Sequence, residues 1–201
     1  MSRLTEAPPE TVRVNGHLLE VLTDWRQMVR FEVQLMRTGT EEGTAFVDKW
    51  LRSFYVHPQQ AFAVADAEQL WNGLLWFYRC GRKAEKRSAH GGSARPVRAY
   101  DFEQDAALIL AAFQQAYGID LTATRMHWWR FRALFDGLPA DCRICKIMEY
   151  RTADTTDMPE KTRAFYQKMQ QRYRLQQPVL CPRAITVEEH NAAFIQRITG
   201  R

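Results

Sequence analysis

"MHWWRFRALFDGLP", residues 126–139, sets a histidine and two adjacent tryptophans among arginines. On a helix each residue advances about 100°, so Trp128, Phe131, Leu134, Phe135 and Leu138 share a sector about 120° wide, which is a normal buried stripe. Trp129 cannot share that sector, because helical neighbours face different ways. With Met126 and Ala133 it forms a second apolar patch on roughly the opposite side. A helix with two apolar faces either lies between two layers of its own protein or offers one face to a partner. His127 stands on the Trp128 side among apolar neighbours, where a histidine reads first as a hydrogen-bonded core residue rather than as a ligand or base.

The flanking sequence supplies further helices. "YDFEQDAALILAAFQQAYGIDL" offers Asp101 as N-cap with Gln104 three residues on, then the stripe Phe102, Ala106, Ile109, Phe113 and Ala116, and Gly118 followed by Ile119 as a C-terminal stop. The 126–139 helix itself is expected to start from Asp120 or Thr122. "ADCRICKIMEY" reads as a short helix. "DMPEKTRAFYQKMQQRYRL" reads as a longer one, with Asp157 and Glu160 as a capping box and Phe165, Met169 and Tyr173 along one side. Its other face carries Lys161, Arg163, Lys168, Arg172 and Arg174.

Toward the start, "TVRVNGHLLEV" reads as a hairpin around Asn15-Gly16, a pair suited to a type I′ turn because both positions tolerate positive φ. Three helices follow: from Trp25, capped by Thr23 or Asp24 and ending near Gly39; from Thr44 to the proline at 58; and over "AEQLWNGLLWFYRCG", ended by Gly81. Residues 81–99 lose the helical period and gain Gly, Ser, Pro and charge. The chain is therefore expected to be mainly α, bundle-like, with a small N-terminal β-hairpin. Residues 1–80 hold the hairpin and helices, 81–99 a basic flexible linker, 100–176 a second helical region, and 177–201 an irregular tail with a short helix, "TVEEHNAAFIQRIT".

Composition narrows the function classes. At 201 residues and 46% hydrophobic the chain can bury a proper core, roughly 70% of its unfolded surface. No run approaches the roughly 18 apolar residues of a membrane span, and "MSRLTEAPPETVRV" lacks a signal-peptide pattern, so a soluble cytoplasmic protein is expected. Arg82, Lys83, Lys86, Arg87, Arg95 and Arg98 stand against Glu85 alone, which accounts for the whole net charge of +5. With no reader motif elsewhere, a solvated loop and helix face is the first reading and specific nucleic-acid binding is not expected.

Motifs of chemistry are missing. Cys142-x-x-Cys145 has metal-like spacing but no second pair, and Cys80 and Cys181 are scattered, so no metal or cofactor is expected and the thiols read as small hydrophobes. There is no phosphate loop, dinucleotide fingerprint, HExxH or GxSxG. No catalytic activity is expected.

"WFYRCGR", then "YDFEQDAALILAAFQQAYGIDL", "MHWWRFRALFDGLP" and "KIMEYRTADT", in that order, resemble the gene-product-fifteen family of phages and prophages of Gram-positive bacteria with long non-contractile tails. "VNGHLLEVLTDWRQMVRFEVQLM" is similar to that family's opening, with Trp25 in place of its usual phenylalanine, and the likeness runs from about residue 12 to 175. The stretch beyond Gln176 and the Cys142-x-x-Cys145 pair depart from the pattern. The resemblance implies a tail assembly chaperone in the host cytoplasm that binds the tape-measure protein, the major tail tube protein or both, with self-association as a further expectation. It also allows a structural tail or head-tail joining component. A nucleic-acid-binding module using the linker and the 158–174 helix is the rival from another class. Under the chaperone reading, Trp129, Met126 and Ala133 form the partner interface, with Arg130 and Arg132 on its rim.

Overall fold

A computed structural model describes residues 5–37, 43–82 and 98–176. The described elements are strands β1 (Thr11–Val14) and β2 (His17–Glu20), then α1 (Trp25–Arg37), α2 (Gly43–Phe54), α3 (Pro58–Val64), α4 (Ala67–Tyr78), α5 (Ala106–Tyr117), α6 (Trp128–Asp136), α7 (Arg143–Thr152) and α8 (Glu160–Arg172). The protein is mainly α with an N-terminal hairpin. Gly39, residues 83–97 of the basic segment and the 177–201 tail lie outside the described residues. The described chain forms two compact units. One joins the residues up to Arg82 with Arg125–Ala133, and the other joins 98–124 with 134–176, so α6 contributes to both.

In the first unit, β1 and β2 pair antiparallel with Val14 opposite His17, and Asn15 and Gly16 turn the chain at φ of 47° and 82°. These are the left-handed positions that a type I′ turn requires. The Asn15 amide also donates to the Val64 carbonyl at 2.8 Å. Val12 and Val14 alternate inward and pack on α4 at Gly73, where a Cβ would lie 2.7 Å from the Tyr55 hydroxyl and 2.8 Å from a Val14 methyl. Glycine here is a matter of close approach. The Tyr55 hydroxyl donates to the Leu70 carbonyl at 2.8 Å, and burial pushes its pKa well above the ordinary tyrosine range.

The helices of this unit follow their apolar spacing. Asp24 caps α1 by accepting from the Arg26 N–H at 2.8 Å, and α2 buries Phe46, Val47, Trp50, Leu51 and Phe54. Pro58 does not simply close this helix, as its place in the sequence suggests; it opens a further one, α3, because its fixed φ and missing N–H suit a first turn. Asp66 and Gln69 form a capping box on α4. Phe31 sits at the centre, fully buried, with its ring 5.2 to 5.6 Å from those of Trp50, Trp71 and Tyr78.

The second unit is tied together by Arg151 of α7. Its guanidinium grips Asp105 with two bonds of 2.7 and 2.9 Å, and donates to the carbonyls of Ala99 at 3.0 Å and Tyr173 at 2.6 Å. The Asp105 carboxylate also accepts from the Asp101 N–H at 2.9 Å. This explains why α5 starts at Ala106 rather than just after Asp101. Asp101 closes a separate turn by accepting from the N–H groups of Glu103 and Gln104, while Arg98 pairs with its other oxygen. Gln104 does not complete a capping box either, because its amide bonds the backbone of Gln176 in both directions. Gly118 ends α5 in the left-handed conformation as expected, with the Ile119 N–H reaching back to Phe113. The expected Asp157–Glu160 box is also not formed, since α8 follows Pro159 without a side-chain cap.

Candidate partner-binding surface

The start of α6 is set by an extended segment before it. Asp24 and His127 form an antiparallel bridge, the Trp25 N–H donates to the Met126 carbonyl, and the Trp128 N–H donates to Thr23 at 2.7 Å. The helix therefore begins at Trp128, not near Asp120, whose carboxylate instead closes a turn on Thr122. Met126 lies outside the helix and is 9% exposed.

His127 acts as a cap. Its Nδ1 accepts from the Trp129 N–H at 3.0 Å, satisfying a donor of the first helical turn, and its Nε2 faces the Pro9 carbonyl at 3.0 Å. One ring nitrogen must accept and the other donate, so the imidazole is neutral with its proton on Nε2. Burial lowers its pKa below the ordinary histidine range, against the opposing pull of the Pro9 bond and the Glu10 charge.

The adjacent tryptophans have one common purpose. Helix α4 closes through left-handed Cys80 and Gly81, whose N–H groups return to Phe77 at 3.0 Å and Trp76 at 2.8 Å. Helix ends leave carbonyls to be satisfied. The Trp128 indole N–H donates to the Tyr78 carbonyl at 2.8 Å and that of Trp129 to the Phe77 carbonyl at 2.9 Å, so neighbouring side chains meet neighbouring carbonyls. Trp128 is fully buried and stacks between Tyr78 and Phe131.

Trp129 is half-buried, and its ring lies 5.5 Å from that of Trp76, which is 39% exposed. Together they form an aromatic ledge at the surface of the first unit. Arg130 and Ala133 are exposed, whereas Arg132 is half-exposed with its guanidinium 5.8 Å from the Trp128 ring centre. Trp76 is not among the residues that the sequence singles out, although a signal exists. On α4 it falls outside the stripe of Leu70, Leu74 and Phe77, an apolar residue out of phase in the same way as Trp129.

Among the described residues no group of three or more His, Cys, Asp or Glu side chains could hold a metal ion. Cys142 is buried; Cys145 is half-buried, with its sulfur 3.9 Å from the Leu138 carbonyl and its pKa pushed up by burial. No described helix is long and apolar enough to cross a membrane.

No curated protein and no solved structure matches the chain. A family model described as Bacteriophage Gp15 protein matches residues 4–175, a span that includes the hairpin, the paired tryptophans and the Arg151 knot. The chain belongs to the Bacteriophage Gp15 protein family.

Proposed function

We propose that this protein acts without catalysis in phage tail morphogenesis, as an assembly chaperone that binds the tape-measure protein, the tail tube protein or both in the host cytoplasm. Family membership supports a phage-related structural or morphogenesis role. The observation that carries the finer reading is the Trp76–Trp129 ledge, an aromatic surface whose Trp129 ring is fixed by a hydrogen bond to Phe77 and whose Trp76 ring is exposed. Rigid aromatic surface of this kind gives large contact area at low entropic cost. Arg130 and Ala133 are exposed on the same helix as Trp129, and Met126, just before it, is buried.

The test is co-expression with the tape-measure protein of the same tail module. The expected outcome is a soluble complex from a tape measure that is insoluble alone. An insoluble, unbound tape measure would overturn the chaperone reading, and abundance in purified virions would assign a structural tail or joining role instead.

A further inference from the structure

Charge in the second unit is unevenly distributed. From Met158 to Gln176 five cations face one acid, Glu160, while the unit's other described residues are predominantly acidic. On α8, Lys161, Phe165, Lys168 and Arg172 fall within about 60° of one another at about 100° per residue. All four are exposed, Phe165 at 48%. The other side of the helix is occupied by α7 and the turn at its C-terminal end: the Tyr166 hydroxyl donates to Glu149 at 2.9 Å, the Gln170 amide donates to the Ala153 carbonyl at 2.9 Å, and Tyr173 stacks on Tyr150. Lys161 and Lys168 have no ion-pair partner among the described residues. The outer face is thus a half-exposed phenylalanine, its ring packed edge-on at 5.9 Å against Tyr150 of α7, set between cations.

The first unit carries the complement. A cavity of about 300 Å³ opens between α2, α3 and the start of α4, lined by Val47, Leu51 and Phe62 together with the acidic Asp48, Asp66 and Glu68. Arg52 bonds Asp48 at 2.7 Å while its guanidinium lies 5.1 Å from the Phe62 ring centre. Glu68 has no such partner among the described residues. Three carboxylates thus share the lining of this cavity, Asp48 already paired with Arg52 and Asp66 already capping α4, on a unit whose described residues are otherwise mostly cationic.

We propose that α8 of one copy docks in this cavity of a second copy, Phe165 entering against Val47, Leu51 and Phe62 while Lys161, Lys168 and Arg172 approach Glu68 and share Asp48 and Asp66 with the groups that already bond them. A nucleic acid would use the stripe alone and leave the acidic cavity without a role; a second copy uses both. Each chain contributes two different patches, so the contact is head-to-tail and propagates into a ring or a filament according to the rotation between copies.

The test is sedimentation of the full chain over about 5 to 500 µM, at about 50 mM and about 500 mM NaCl, a range that spans weak surface association and strong screening. Mass should rise with concentration at low salt and return to monomer at high salt. Lys168→Glu with Arg172→Glu should give a monomer, as should Asp48→Lys with Glu68→Lys, each with an unchanged circular dichroism spectrum. Mixing the two variants should restore association, because each reversed patch then meets its opposite. Phe165→Ser should weaken association by about tenfold or more. A wild-type chain that stays monomeric, association that survives either reversal, or failure of the mixture to reassociate would overturn the proposal. Loss of duplex DNA binding in the Lys168→Glu, Arg172→Glu chain with association intact would do so too, and would assign the stripe to nucleic acid.

Discussion

The indole N–H of Trp129 donates to the Phe77 carbonyl at 2.9 Å, one residue before the carbonyl that Trp128 takes. A pair of tryptophans that cannot share a helix face is thereby reconciled: both rings close the end of α4, and only Trp129 keeps an edge in solvent. Replacing either by phenylalanine keeps most of the ring and removes the donor. Trp128→Phe leaves the buried Tyr78 carbonyl with only the weak Cys80 thiol contact and should cost about 1–3 kcal/mol, whereas the Phe77 carbonyl keeps the Cys80 N–H bond and the loss at Trp129 should be about 1 kcal/mol or less. Urea unfolding of the two variants checks the order.

Gly73 makes the hairpin's seat on α4. Alanine is the better helix former by about 1 kcal/mol, yet its methyl would meet the buried Tyr55 hydroxyl and Val14 at under 3 Å. Gly73→Ala should therefore destabilise by about 1–3 kcal/mol. In the Tyr55→Phe background the penalty should shrink, and a double-mutant cycle of thermal unfolding measures that coupling.

Arg151 and Asp105 are both nearly inaccessible, and their two-pronged contact is supplemented by backbone partners on each side. Asp105→Asn or Arg151→Met strands the remaining charge and should cost about 3–5 kcal/mol. Arg151→Lys should recover only part of this, because an ammonium cannot reproduce the fork. Calorimetric melting of the three variants tests the ranking.

His127 makes stability fall in mild acid. Its folded pKa is held below the ordinary 6.5, chiefly by burial, so in the window just below that value the unfolded chain binds more protons than the folded one. The contribution of the neutral ring is complete above about pH 6.5 and is lost as pH falls toward the folded pKa, when protonation of Nδ1 removes the acceptor for the Trp129 N–H. The urea midpoint should drop between about pH 7.5 and 5.5, by a smaller margin in His127→Gln.

Much of this was legible from periodicity and turn chemistry. The Asn15-Gly16 hairpin and the Gly118 stop of α5 require only local rules, and they stand where turn chemistry placed them. The misjudged helix starts share a cause. Asp101, Asp120 and Asp157 all look like caps, but Asp101 and Asp120 close turns of their own, and Asp105 is committed to Arg151 of another helix. A partner 46 residues away has no signature in a local window. Exposure of the aromatics was less legible: Trp129 stood out beside Trp128, whereas Trp76 was hidden in a helix that is apolar nearly all round, and only its position off the stripe marked it.

If the Trp76–Trp129 ledge binds the tail partner, Trp76 is the residue to replace, because it is exposed and takes no part in capping α4 through its side chain. Trp76→Ser should melt close to the wild type yet fail to keep the co-expressed tape-measure protein in solution. An equal yield of soluble complex from wild type and Trp76→Ser, at matched expression and stability, would contradict the account.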